Sequence, residues 1–177
     1  SHFARMPAPV IRNENLTDLC RQAVFLQRNT HRHITYEMCL PEESLHVACD
    51  GQMLSQALTN LLQNAIDAID SHEEEKQLGL ITLRLYQDQD DHRTVIEIED
   101  NGKGLPIEGR EKLTEPYVTM RQKGTGLGLA IVRKIMEDHL GHLTLGDAPG
   151  GGALVSLELP SGVTATEIEE ASLSKKS

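Results

Sequence analysis

From Asp50 onward, Met53, Leu54, Ala57, Leu58, Leu61, Leu62, Ala65, Ile66 and Ile69 recur at intervals of three and four residues. That spacing predicts a long helix capped by Asp50 and buried along one side. A helix of this kind is not stable alone, because its apolar stripe must lie on a second layer. The sequence that follows supplies one. Ile81, Leu83 and Leu85 alternate, Asp88-Gln-Asp-Asp-His92 turns, and Val95, Ile96 and Ile98 alternate again, the pattern of an antiparallel hairpin. His142 to Leu145 and Ala153 to Leu159 predict a second hairpin around Pro149-Gly-Gly-Gly152.

Other elements fit around these. An earlier helix, capped near Asn15 or Thr17, is expected to bury Leu16, Leu19, Cys20, Ala23 and Leu26. His33 to Leu40 alternates as a strand with Ile34, Tyr36 and Met38 on one side, and Leu45 to Cys49 is a shorter strand. A short helix around Glu108 to Leu113 and a further helix from Leu127 to about His139 complete the set. Helices and strands alternate without a repeating strand–helix–strand unit. The prediction is an α+β fold: a two-layer sandwich whose mixed, mainly antiparallel sheet is covered on one face by helices. Residues 1–12, with Pro7 and Pro9, read as a linker, 13–160 as one folded domain, and 161–177 as a flexible tail.

The chain carries 27 Asp and Glu against 17 Lys and Arg, a net charge of -10. That argues against nucleic acid or an anionic membrane as the main partner. Aromatic residues are 3% with no Trp, which disfavours base-stacking platforms. Cys20, Cys39 and Cys49 are odd in number and lack CxxC spacing, so they read as ordinary thiols of a reducing compartment. No apolar run reaches membrane length and no signal peptide is visible, which predicts a cytoplasmic location.

Three motifs carry chemistry. Asn60 and Asn64 stand four apart on the long helix and share a face; an asparagine oxygen can ligate magnesium, although two solvated amides would look the same. Asp100-Asn-Gly102-Lys-Gly104 ends a strand. A carboxylate there can accept from an exocyclic amine while glycine admits a flat ring, although Asn-Gly is also plain turn chemistry. Gly124-Thr-Gly126-Leu-Gly128 opens a helix, where free N–H groups favour phosphate. It is neither a P-loop nor a convincing dinucleotide fingerprint. His31 and His33 lack a third metal ligand nearby, and His139 and His142 lie at a helix end where a cation would suit the dipole.

Taken together, these residues resemble the ATP-binding catalytic domain of sensor histidine kinases, in the superfamily shared with gyrase, the Hsp90 chaperones and MutL. The resemblance runs from about Asn13 to Pro160. Asn60 to Asn64 is similar to the asparagine box, and Asp100 to Gly104 to the first glycine box. Glu115-Pro-Tyr-Val-Thr-Met-Arg121 resembles the aromatic-containing box of the nucleotide lid, and Gly124 to Ile131 the second glycine box. Phe3 to Pro9 and Lys123 to His139 look like nitrogen-regulation sensor kinases of the NtrY type. The resemblance implies a Bergerat-type fold that uses ATP and Mg2+. It places Asn64 on magnesium and Asn60 near the metal–phosphate region. Asp100 would bond the adenine amine, with Gly102 and Gly104 beside the ring. Gly124, Thr125, Gly126, Leu127 and Gly128 would lie at the phosphates. Thr119, Arg121 and Lys123 would sit on the lid, with the two cations approaching the γ-phosphate. Asp67 stands where some relatives carry a phosphate-directed Lys.

ATP-hydrolysing relatives carry Glu where Asn60 stands, and an amide cannot activate water as that base would. The resemblance therefore favours phosphoryl transfer to a histidine over hydrolysis, with a conformational ATPase or a nucleotide-sensing module as alternatives. The box holding the acceptor His is missing. The expected partners are a dimerisation domain bearing that histidine, in a full-length protein anchored in the bacterial inner membrane, and a downstream response-regulator receiver domain. The lone domain is expected to be monomeric.

Overall fold

In the computed structural model, which describes residues 6–72, 77–116 and 128–175, the predicted long helix runs Gly51–Asp70 (α2). Asp50 caps it: Oδ1 accepts from the N–H groups of Gln52 and Met53, each at 3.0 Å. Its Oδ2 accepts from the Val10 N–H at 2.8 Å, so one carboxylate fixes both the helix start and the incoming chain. The stripe is fully buried at Leu54, Leu58, Leu62 and Ile66.

Helices α1 (Leu16–Thr30) and α3 (Gly128–Asp138) pack on either side of α2. The layer beneath is a five-stranded sheet of β2 (Thr35–Cys39), β4 (Leu80–Asp88), β5 (Arg93–Asp100), β7 (Ala153–Pro160) and β6 (His142–Asp147), in that spatial order. β2 and β4 are parallel, joined through α2 as a crossover; the other pairs are antiparallel. Leu83, Leu85, Ile96, Ile98, Leu157 and Leu159 join the helices in one core. The opposite face is polar: Arg84 bridges Glu97 at 3.3 Å and Glu99 at 3.0 Å, and Arg93 meets Glu158 at 2.7 Å. This is the predicted two-layer α+β sandwich.

Four details differ from expectation. Arg12–Asn15 (β1) pairs antiparallel with His46–Cys49 (β3) as a separate small sheet. β1 has no apolar residue to announce it, and backbone pairing makes it. Asn15 does cap α1, its Oδ1 accepting from Asp18 N–H at 3.1 Å. In α1, Val24 is buried in place of Leu26, which is 61% exposed. The region around Glu108 to Leu113 holds only a 3-10 turn at Arg110–Lys112. The supposed flexible tail contains α4 (Ala165–Ser174). A reciprocal Thr164–Glu167 capping box starts it and Ile168 is buried, so local capping and one anchor replace the missing apolar stripe. Cys20 and Cys49 are buried free thiols, and burial pushes both up to about 12; Cys39 is exposed.

His139 is not a cationic cap. It is fully buried, its Nδ1–H donates to the Ile135 carbonyl at 2.7 Å, and its Nε2 accepts the Asp50 N–H at 2.9 Å. The Nε2 bond requires the neutral ring, since a protonated Nε2 cannot accept, and burial lowers the pKa below the ordinary 6.5. Above 6.5 the neutral ring's contribution is fully present. As pH falls from there through the lowered pKa, the unfolded chain binds a proton that the folded chain resists, and stability is lost. His139→Ala should cost about 2–4 kcal/mol near neutral pH, by leaving a cavity and an unpaired N–H. Urea unfolding across this range should show a smaller acid-induced decline in the variant than in the natural chain.

Candidate functional site

Three element ends converge beside the middle of α2: the C-terminal end of β5 at Asp100, the start of α3 at Gly128, and the start of β7 at Ala153. Between them lies an open cleft, lined by Asn64, Asp67, Asp100, Lys103, Gly104 and Gly128 together with apolar side chains. Its apolar lining comes from Leu61 and Ala65 on α2, Ile98, Leu113, Leu129, Leu145 and Val155.

Asp100 is 5% exposed. Its Oδ1 accepts from the Gly102 N–H at 2.9 Å and the Ala153 N–H at 3.3 Å. Oδ2 takes no bond from the described residues, and among those residues no buried side-chain polar atom lacks a partner. Oδ2 is therefore reachable from the cleft, an acceptor at the wall of an apolar slot. Burial raises the Asp100 pKa, opposed by the two backbone N–H groups.

Backbone contacts hold this carboxylate in place. A Cβ on Gly102 would lie 2.5 Å from the Ala68 carbonyl carbon and 2.6 Å from Ile69 N, so the loop lies directly on α2. Lys103 N–H donates to the Ala68 carbonyl at 3.1 Å. On the other side Gly152, at φ 97°, packs so closely that a Cβ would collide with the Asp100 carbonyl oxygen. Asn101 secures the start of β4, where its Oδ1 accepts from Leu80 N–H at 2.8 Å and its Nδ2 donates to the Leu78 carbonyl at 2.9 Å.

The predicted site residues divide accordingly. Asn64, Asp67, Asp100, Gly104 and Gly128 meet in the cleft; Gly102 supports its floor from behind. Asn60 is not among the residues lining it; its Nδ2 donates to the Gly128 carbonyl at 3.4 Å, joining α2 to the start of α3. Asp67 accepts from Gln63 Nε2 at 2.9 Å. Thr119, Arg121, Lys123, Gly124, Thr125, Gly126 and Leu127 lie outside the described residues. His33 pairs with Asp70 at 2.8 Å, and among the described residues no cluster of His, Cys, Asp or Glu could hold a metal. Sequence reasoning missed Ile98, Leu145, Val155 and Gly152. The strand alternation could have placed Ile98 and Val155 on the helix-covered face, but nothing local marks Gly152 as more than a turn residue.

An acceptor in an apolar slot, an amide side chain farther along and a helix N-terminus together fit a purine nucleotide. Comparison with known proteins agrees. Residues 49–163 match the family of histidine kinase-, DNA gyrase B- and HSP90-like ATPases, and the chain belongs to that family. Within it, the chain is an ATPase-type domain of the sensor histidine kinases. It is 46% identical over 160 residues to the nitrogen regulation protein NtrY of Azorhizobium caulinodans, covering 90% of this chain and 20% of that protein. It is 36% identical over 156 residues to a putative NtrY-like sensor histidine kinase of Rickettsia conorii, covering 88% and 25% respectively. The chain thus spans about a fifth to a quarter of these relatives. Among solved structures, the nucleotide-free catalytic domain of histidine kinase ThkA superposes with TM-score 0.75 at 30% identity, covering 86% of this chain and 96% of that one. Full-length ShkA in complex with AMPPNP gives 0.75 at 25% identity, covering 93% and 35%.

Asp100→Asn replaces the open acceptor with an amide N–H2 while the other oxygen can still accept from Gly102 and Ala153. ATP affinity should fall about tenfold to a hundredfold, the worth of a hydrogen bond to a charged group, as read by calorimetry. Because its folded pKa is raised, Asp100 favours folding only when protonated; that contribution is lost as pH rises from 3.8 through the raised value. The Asn variant should therefore unfold at neutral pH no earlier than the natural chain, whereas Gly152→Ala should weaken both fold and nucleotide.

Proposed function

We propose that this domain binds Mg-ATP and delivers the γ-phosphoryl group to a histidine on the dimerisation domain of its own sensor kinase. The observation that carries the reading is the buried Asp100 carboxylate with one oxygen open to an apolar cleft, flanked by Asn64 and the start of α3. Bound Mg-ATP supplies the phosphoryl group and the charge-neutralising metal. The chain's own residues bind and orient. Asp100 accepts from the adenine amine, Asn64 offers its amide oxygen to magnesium, and the N–H groups at the start of α3 face the phosphates. Arg121 and Lys123 are assigned to the γ-phosphate. Catalysis of this kind rests on positioning and charge neutralisation, with the acceptor imidazole as nucleophile.

Asn60 separates transfer from hydrolysis. It carries no basic group to activate water, and its amide N–H2 is directed to the Gly128 carbonyl, a donor that a carboxylate could not supply. We further propose, in view of the similarity to the nitrogen regulation protein NtrY, that the domain serves nitrogen regulation in a membrane-anchored kinase, with a response-regulator receiver domain taking the phosphate onward. The isolated domain is monomeric in this reading.

The deciding experiment mixes this chain with a separate dimerisation domain and γ-labelled ATP. Acid-labile, base-stable label on that domain is the expected result, with none on this chain alone. Free phosphate accumulating without a labelled acceptor would support the hydrolytic alternative instead.

A further inference from the structure

The outer face of α1 is unpartnered. Phe25 and Leu26 are 60% and 61% exposed, and with Met38 and Leu40 they line an apolar groove between α1 and the segment of β2 that leads to Pro41. Arg21 and Arg28 line the same groove; they stand four before and three after Phe25, so both cations share its helix face.

The arginines divide sharply by place. Among the described residues, Arg84, Arg93, Arg110 and Arg133 each pair with a carboxylate. Arg12, Arg21, Arg28 and Arg32 make no ion pair with any described residue, and all lie between β1 and the turn after α1. In a chain of net charge -10, carboxylates are plentiful, yet the two arginines of this groove, Arg21 and Arg28, pair with none of those described. Contiguous apolar surface with a charged rim marks an interaction site. The partner that matches is apolar at its centre and acidic at its edges.

The groove's position suggests the partner's shape. The helix layer runs α3, α2, α1 across the sheet and ends at α1, over the edge strand β2. A helix laid beside α1 would continue that layer. Since the chain spans 20% to 25% of its relatives, most of a full-length protein to which such a helix could belong lies outside it. We propose that the groove formed by Phe25, Leu26, Met38 and Leu40, with Arg21 and Arg28 on its rim, docks an amphipathic helix whose apolar stripe is edged by Asp and Glu. This proposal is independent of the nucleotide reading, since it rests on another face of the domain.

Fluorescence anisotropy with two labelled helical peptides tests it. Both carry the same leucine stripe, one edged by glutamates and the other by lysines. The glutamate peptide should bind saturably. Phe25→Ser and the double variant Arg21→Glu/Arg28→Glu should each weaken it about tenfold or more, with unfolding midpoints unchanged because these side chains are exposed. The proposal is overturned by equal binding of both peptides, by no saturable binding of the glutamate peptide, or by binding indifferent to the variants. It is equally overturned if sedimentation shows a dimer that Phe25→Ser abolishes, which would make a second copy the occupant. Binding to phosphatidylserine vesicles that the arginine variant loses would assign the face to a membrane.

Discussion

Asp50 and His139 form the junction on which the helix layer depends. One Asp50 carboxylate takes three backbone N–H groups, two from α2 and one from the entering chain, while its own N–H goes to the buried imidazole beyond α3. At the other end of α3, Asn60 reaches the Gly128 carbonyl. The two ties attach to α2 at residues 50 and 60 and to α3 at 139 and 128, so the helices run in opposite directions with near-equal spans. About ten residues at 1.5 Å each separate the ties on either helix. Apolar packing between two such helices resists sliding weakly, whereas polar ties at both ends fix the register. The position of the α3 start at the cleft is therefore set in part by an interaction at its far end.

The cleft itself is built by close approach of backbone to backbone. Gly102 lies on the last turns of α2 and Gly152 lies on Asp100, so the carboxylate is held between two layers that leave no room for Cβ atoms. Such a site gains precision without long side chains, whose rotamer freedom would have to be lost on binding. The apolar lining from Ile98, Leu145 and Val155 supplies the walls of the slot beside it.

Legibility followed the range of the interaction. The α2 stripe, both hairpins and the caps at Asn15 and Asp50 are local patterns, and all are readable from neighbouring residues. Asp100, Asn64 and Gly128 could be brought together only through the resemblance of four boxes in order, because no local rule joins residues so far apart. What escaped was non-local or purely backbone: β1, which has no apolar residue; the neutral state of His139, set by burial and a bond from Asp50 N–H; and Gly152, whose constraint comes from Asp100 across the sheet. α4 escaped for a different reason, since a capping box and a single buried Ile168 hold a helix that periodicity does not reveal.

Asp100 runs against the rule that buried charges are paired. Two backbone N–H groups on one oxygen offset part of the desolvation, and its pKa remains raised. A fold optimised only for stability would place an amide there, since Asn could keep the accepting oxygen and avoid the charge. An amide, however, would turn a donor toward the cleft. The carboxylate is the side chain that satisfies Gly102 and Ala153 with one oxygen while presenting a pure acceptor with the other, so its cost to the fold is intelligible as a recognition requirement. The same logic separates Asn60 from Asp100: one position needs a donor to the Gly128 carbonyl, the other an acceptor in the slot, and the sequence places amide and acid accordingly.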